Sequence, residues 1–225
     1  KVRVGRHQEV VGELTDGREL TAGFSLVLGR AYLAAGDLAA ARRTFQDADG
    51  VSVATLGIAL VDWRLGEIES AERGFTAAVA ADATSREAWL SKAEFELSQR
   101  RLGDAAESFR RAATLPAGEP SASLGLARID LVERRIEDAE VHVDRALRVA
   151  PQDPVGNYLK ALVRFEAGDL NGAENAIREL QRVAPNHLPS LYLLGAIKYQ
   201  QGQLQQAQDN LQRFLAREPG NPSAA

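Results

Sequence analysis

Five alanines, Ala71, Ala105, Ala139, Ala173 and Ala207, follow one another at steps of 34 residues. Each sits in the same frame, with Ile68, Leu102, Ile136, Leu170 or Leu204 three positions earlier and Phe75, Phe109, Val143, Ile177 or Leu211 four positions later. A sixth frame precedes these five, with Gly36, Leu38, Ala41, Phe45 and Ala48, at a step of 30. A second small site recurs in phase with the first: Gly29, Ala59, Ala93, Ala127, Ala161 and Gly195. Helix axes approach closely only where small side chains meet, so two small sites held in one phase predict a helix–helix crossing in every period. A chain patterned this way stacks repeats against one another and needs no single centre.

One period shows the internal design. Leu191, Leu194, Ile197 and Tyr199 recur at helical spacing, Gly202 interrupts, and Leu204, Ala207, Leu211, Phe214 and Leu215 resume the pattern. Glycine tolerates the positive φ with which a chain leaves one helix and turns back. Arg100 and Arg134 take the glycine's place in units three and four, which predicts tighter or more strained turns there. Pro151, Pro185 and Pro219 close the last three units, because proline lacks the N–H that would continue a helix. Pro120, Pro154 and Pro189 mark unit entries, in the first helical turn where proline fits.

A 34-residue helix–turn–helix period resembles the tetratricopeptide repeat (TPR), with its early Trp, Leu-Gly and Tyr followed by Ala, Phe and Pro. The signature stands here in pieces: Leu28-Gly29 with Tyr32, Trp89, Leu194-Gly195 and the three closing prolines. The resemblance implies an all-α fold, a right-handed superhelical solenoid of stacked antiparallel helix hairpins. Residues 22–219 read as six units, residues 1–21 as part of an upstream unit and residues 220–225 as the start of a further repeat. The sequence is therefore expected to be a fragment of a longer protein. Its last unit is expected to leave apolar surface open around Leu204, Leu211 and Leu215, a site for an end-to-end dimer.

Composition narrows the function. Basic residues number 27 and acidic ones 31, both signs interspersed, which argues against a nucleic-acid surface. No apolar run has the length of a membrane span, and no cysteine is present for disulfide or thiol chemistry. The three histidines, His7, His142 and His187, fall at unrelated repeat positions and read as ordinary solvent-facing side chains. Glu137 and Asp138 open a second helix, where carboxylates meet the positive end of the helix dipole. With no phosphate loop either, no catalytic, metal or cofactor site is expected, and the chain reads as a non-enzyme.

Function then falls to the surface. In TPR proteins the first helix of each hairpin lines the inner face, and three inward sites can be followed by phase. The earliest holds Leu26, Leu56, Leu90, Leu124, Tyr158 and Tyr192. The middle one holds Arg30, Leu60, Glu94, Arg128, Leu162 and Ala196, and the last holds Leu33, Trp63, Leu97, Leu131, Phe165 and Tyr199. The expected groove is apolar, grows aromatic towards the C-terminal end and carries scattered Arg and Glu. It suits a protein or peptide partner; polysaccharide is the second class, since aromatic rings stack on sugars. The Lys, Asn and Arg set by which TPR co-chaperones grip acidic C-termini is replaced mostly by Leu, so that role is not expected. The stretches from Ala150 to Asp169 and from Ala184 to Ala196 are similar to long TPR lipoproteins of bacterial PEP-CTERM/exosortase systems. That resemblance implies a role in exopolysaccharide production or protein sorting, and a periplasmic or outer-membrane-anchored parent whose anchor lies outside this sequence. The absence of cysteine is equally compatible with a cytoplasmic location.

Overall fold

A computed structural model describes residues 22–48 and 52–217. The expected upstream unit, residues 220–225, His7 and Pro219 lie outside them. Among the described residues there are twelve α-helices and no strand, paired into six antiparallel hairpins, as the repeat phase predicts. The chain divides into two compact units, Lys1–Leu115 and Pro116–Ala225. In the first, α1 (Ala22–Ala35) pairs with α2 (Leu38–Asp47), α3 (Ser52–Leu65) with α4 (Ile68–Ala81), and α5 (Arg86–Ser98) with α6 (Leu102–Ala113). In the second, α7 (Glu119–Val132) pairs with α8 (Ile136–Val149), α9 (Pro154–Glu166) with α10 (Leu170–Val183), and α11 (Leu188–Gln200) with α12 (Leu204–Arg217). The entry prolines sit in the first turns of α7, α9 and α11.

One left-handed residue reverses the chain inside each hairpin. Gly36, Gly66, Gly168 and Gly202 have φ of 82°, 78°, 79° and 75°. The next N–H then reaches back five residues, from Asp37 to the Tyr32 carbonyl at 3.0 Å and from Asp169 to the Arg164 carbonyl at 2.9 Å. This satisfies carbonyls that the ending helix leaves unpaired. The same residue caps the following helix: Asp37 accepts from the Ala40 N–H at 3.0 Å and Asp169 from the Gly172 N–H at 2.8 Å. At Arg100 and Arg134 the turns are no tighter than the glycine turns. Arg101 N–H meets the Glu96 carbonyl at 2.9 Å and Arg135 N–H meets the Asp130 carbonyl at 2.8 Å. The strain is real and local, since these arginines adopt φ of 60° and 62°. A Cβ in that region costs about 1–2 kcal/mol.

The hairpins close on the two small sites. Ala41, Ala59, Ala71, Ala93, Ala105, Ala127, Ala139, Ala161 and Ala173 are fully buried. A Cβ added at Gly29 would lie 2.7 Å from the Phe45 ring, and one at Gly195 would lie 2.7 Å from the Leu211 side chain, so alanine at either crossing would require the facing side chain to shift. Around the crossings Phe45, Phe75, Phe95, Phe109, Val143 and Ile177 are buried. Each such side chain contributes about 1.5–3 kcal/mol by leaving water. On α12 Phe214 is buried and Leu211 and Leu215 are half-buried, whereas Leu204 is 62% exposed.

Ion pairs join consecutive hairpins at one repeated position. In the first unit the Arg42 guanidinium donates to Asp62 and Glu67, and Arg101 donates to Glu72. In the second, Arg164 pairs with Glu140 at 2.5 Å and Lys198 with Glu174 at 2.7 Å. The Lys198 ammonium holds the Glu174 carboxyl below its ordinary range, and Glu67 and Asp62 raise the Arg42 guanidinium.

Two substitutions test this architecture by thermal or urea denaturation. Ala173→Leu should destabilise by about 1–3 kcal/mol, because the crossing has no room for three further carbons. Arg100→Gly should stabilise by about 1 kcal/mol by relieving the left-handed arginine. An unchanged melting curve for the first, or a loss of stability in the second, would contradict the assignment.

Candidate partner-binding surface

Within each unit the first helices lie side by side, α1 with α3 and α3 with α5, then α7 with α9 and α9 with α11. The residues that the repeat phase singles out all lie on these first helices. In the first unit Arg30 Nη2 meets Glu87 Oε2 at 2.7 Å, a link from the first hairpin to the third. Beside it a cavity of about 270 Å³ is lined by Leu33, Leu56, Leu60, Arg64 and Glu87. Arg64 and Glu87 line this cavity although the apolar spacing does not point to them. Their charge hides them from a search for apolar positions.

The sites differ in how much they offer a partner. Leu56 and Leu124 are buried in the cores of their units and contribute shape rather than open surface. Leu26, Leu33, Leu90, Leu97, Leu131 and Leu162 are half-buried, as are Glu94 and Arg128, whereas Arg30 is exposed. Trp63 is also half-buried, set edge-on to Phe75 at 6.0 Å and to Phe95 at 5.8 Å between ring centroids. It is as much a packing residue as a surface one.

The second unit is more open. Tyr158 and Phe165 are half-buried against the core formed with Ala161, Ile177 and Leu193. Tyr192 is 40% exposed with its ring 5.6 Å from Phe214, and Tyr199 is 68% exposed. Val132 and Val155, at the repeat positions of Arg64 and Glu87, are exposed as well. The aromatic end of the face therefore combines two packed rings with two that meet solvent.

Two of the histidines depart from the solvent-facing expectation. His142 turns towards its own hairpin partner, with Nδ1 2.8 Å from Oδ2 of the buried Asp130, whose other oxygen accepts from Arg135 at 2.5 Å. A buried carboxylate on α7 draws both groups inward, and nothing in the apolar pattern marks it. His187 packs its ring 4.9 Å from Tyr158, with Nδ1 buried and lacking a hydrogen-bond partner. Burial pushes the His187 imidazole below its ordinary value. Among the described residues no group of three His, Asp or Glu is placed to hold a metal, and no helix is long and apolar enough to cross a membrane.

Burial of the His187 imidazole makes the stability of the fold depend on pH. Below about pH 6.5 the unfolded chain takes up a proton that the folded site resists, so stability falls as pH drops. The melting temperature of His187→Phe relative to the parent should therefore rise as pH is lowered from about 7.5 to about 5.5. A difference that stays constant with pH would contradict the burial of this ring.

Comparison with known proteins agrees with the hairpin geometry. One tetratricopeptide-repeat family profile matches residues 8–51 and 56–122, and another matches residues 96–163. The profile for subunit 3 of the anaphase-promoting complex, or cyclosome, matches residues 133–214. No curated protein sequence matches the chain. Among solved structures, the APC/C hetero-tetramer Cut9–Hcn1 aligns with a TM-score of 0.85 at 16% identity over 98% of this chain. This chain spans 45% of the length of that one. PilW, a widely conserved type IV pilus biogenesis factor, aligns with a TM-score of 0.80 at 20% identity, covering 92% of this chain and 98% of its own. Pseudomonas aeruginosa pilF aligns with a TM-score of 0.79 at 17% identity, covering 90% and 94%.

Proposed function

We propose that this chain, which belongs to the tetratricopeptide repeat family, is a non-catalytic scaffold that holds a protein or peptide on the face of its first helices. The observation that carries the reading is the solvent-exposed run of Val132, Val155, Tyr192 and Tyr199 on α7, α9 and α11. Large apolar side chains left open on a rigid helical face mark interaction surfaces, and tyrosine is enriched at binding hot spots. In the first unit the cavity beside the Arg30–Glu87 pair adds a site where an extended chain meets both an apolar wall and hydrogen-bonding groups.

The setting we propose is the exopolysaccharide or protein-sorting machinery of a bacterial envelope, with the parent protein periplasmic or anchored to the outer membrane. The sequence resemblance to exosortase-associated lipoproteins supports it, and so does likeness to a type IV pilus biogenesis factor. A second reading places polysaccharide on the same face, and the exposed ring of Tyr199 favours it, since a free aromatic face suits sugar stacking.

Retention of partners from an envelope extract on the immobilised chain separates these readings. Tyr192→Ala/Tyr199→Ala is the informative variant, because Tyr158 and Phe165 also hold the core and would confuse binding with stability. The expected result is a protein retained by the parent and by the Arg178→Ala control on α10, lost from the double variant, with the melting temperature nearly unchanged. Loss of glycan instead of protein would favour the second reading. Equal retention by all three would overturn both.

A further inference from the structure

A second pocket, of about 350 Å³, opens in the first unit between α4, α5 and α6 and shares no lining residue with the inner-face cavity. Its floor is polar and already ordered. Arg101 donates to the Glu72 carboxylate, and Lys92 donates to the buried Glu96. The buried Ser108 hydroxyl donates to the other Glu96 oxygen at 2.7 Å. Trp89, half-buried, lines one side, and its indole N–H is fixed on the Ala83 carbonyl at 3.0 Å.

The groups left unsatisfied limit which ligand chemistry the pocket can accept. Arg101 Nε is buried and donates to nothing, with the nearest Asp104 oxygen 3.9 Å away, beyond hydrogen-bond reach. Asp104 and Glu107 supply further acceptors on the pocket wall. A hydroxyl group satisfies both sides, since it accepts from an N–H and donates to a carboxylate. An anion would meet Asp104, Glu107 and the paired carboxylates. A cation would compete with Lys92, 6.0 Å from the Trp89 ring centroid, and with Arg101, 5.6 Å from that of Phe95. The volume lies at the small end of ligand sites, roughly 300–1,000 Å³. The repeat frame does not impose this chemistry. In the second unit the positions of Trp89, Asp104 and Glu107 are Asn157, Gly172 and Asn175, around a differently lined pocket.

We propose that the pocket between α4, α5 and α6 binds a neutral sugar residue, with its ring against Trp89 and a hydroxyl between Arg101 Nε and the Asp104 carboxylate. This site is independent of the inner face and of whatever partner that face holds.

Saturation-transfer NMR on the whole chain tests it, with cellobiose, maltose and chitobiose as neutral probes and glucosamine and glucuronate as charged ones. At least one neutral disaccharide should receive saturation in its ring protons, more strongly than either charged sugar. Arg101→Lys keeps a cation beside Glu72 and removes the Nε donor; it should weaken binding by about three- to tenfold, the worth of one hydrogen bond. Glu107→Gln, an exposed change, should weaken it less with an unchanged melting temperature. Tyr192→Ala/Tyr199→Ala should bind the sugar as the parent does. No transfer to any neutral sugar, equal transfer in Arg101→Lys, or preference for glucosamine would overturn the assignment. Loss of transfer in the tyrosine variant would place the sugar on the inner face and overturn it equally.

Discussion

How closely the two helices of a hairpin can approach governs everything else in each unit. Where Ala59 faces Gly74, a Cβ on the glycine would lie 2.7 Å from the Ala59 methyl, and Ala59, Ala71, Ala161 and Ala173 are all sealed from solvent. Close approach aligns the larger groups on either side, so that Phe75 or Ile177 fills the space above the crossing. It also fixes the roll of the first helix. With one edge committed to the crossing and another to the next hairpin, the remainder of each first helix carries half-buried residues such as Leu33 and Phe165 and exposed ones such as Tyr199. The face proposed to receive a partner is thus what remains of a first helix once its packing edges are used.

Short linkers fix which hairpin follows which, and the charges are matched to that order. The second-helix site reads Arg42, Glu72, Glu140 and Glu174, and the first-helix site reads Asp62, Glu96, Arg164 and Lys198. Arg42 finds Asp62 and Glu67, whereas the same position on a hairpin stacked before α9 would face Arg164. Where like charges would meet, as Glu72 and Glu96 would, the structure recruits Arg101 for one and Lys92 with Ser108 for the other. Partly exposed pairs of this kind add only about 0–1 kcal/mol each. Their effect is on which neighbour is tolerated, since an unpaired buried Asp62 or Lys198 would be costly.

Helix positions, crossings and turns were legible in the sequence because they depend on residue size and on the sign of φ, both of which repeat every 34 residues. Phase also singles out one face of the first helices, and at its C-terminal end Tyr192 and Tyr199 are exposed. What the pattern could not convey is how far a side chain sinks between neighbours. Leu56 and Leu26 share one phase, yet the first is buried and the second half-buried. Polar residues were the least legible. Asp130 pulls His142 inward through one carboxylate, and His187 at the start of α11 folds onto Tyr158 of the preceding hairpin, contacts that involve pairs far apart in the repeat frame. The turn at Arg100 shows the converse, a departure from the glycine rule in which the backbone keeps the reach-back hydrogen bond from Arg101 N–H to the Glu96 carbonyl.

The central claim is that the first-helix face receives a partner while the second helices lock the stack and face away. Site-specific photocrosslinking in cells of the source organism addresses it directly, with Tyr199→p-benzoylphenylalanine on α11 set against Val141→p-benzoylphenylalanine on α8, both positions being exposed. The account predicts a discrete adduct from position 199 and none at that mass from position 141. An adduct from position 141 alone, or the same adduct from both, would contradict it.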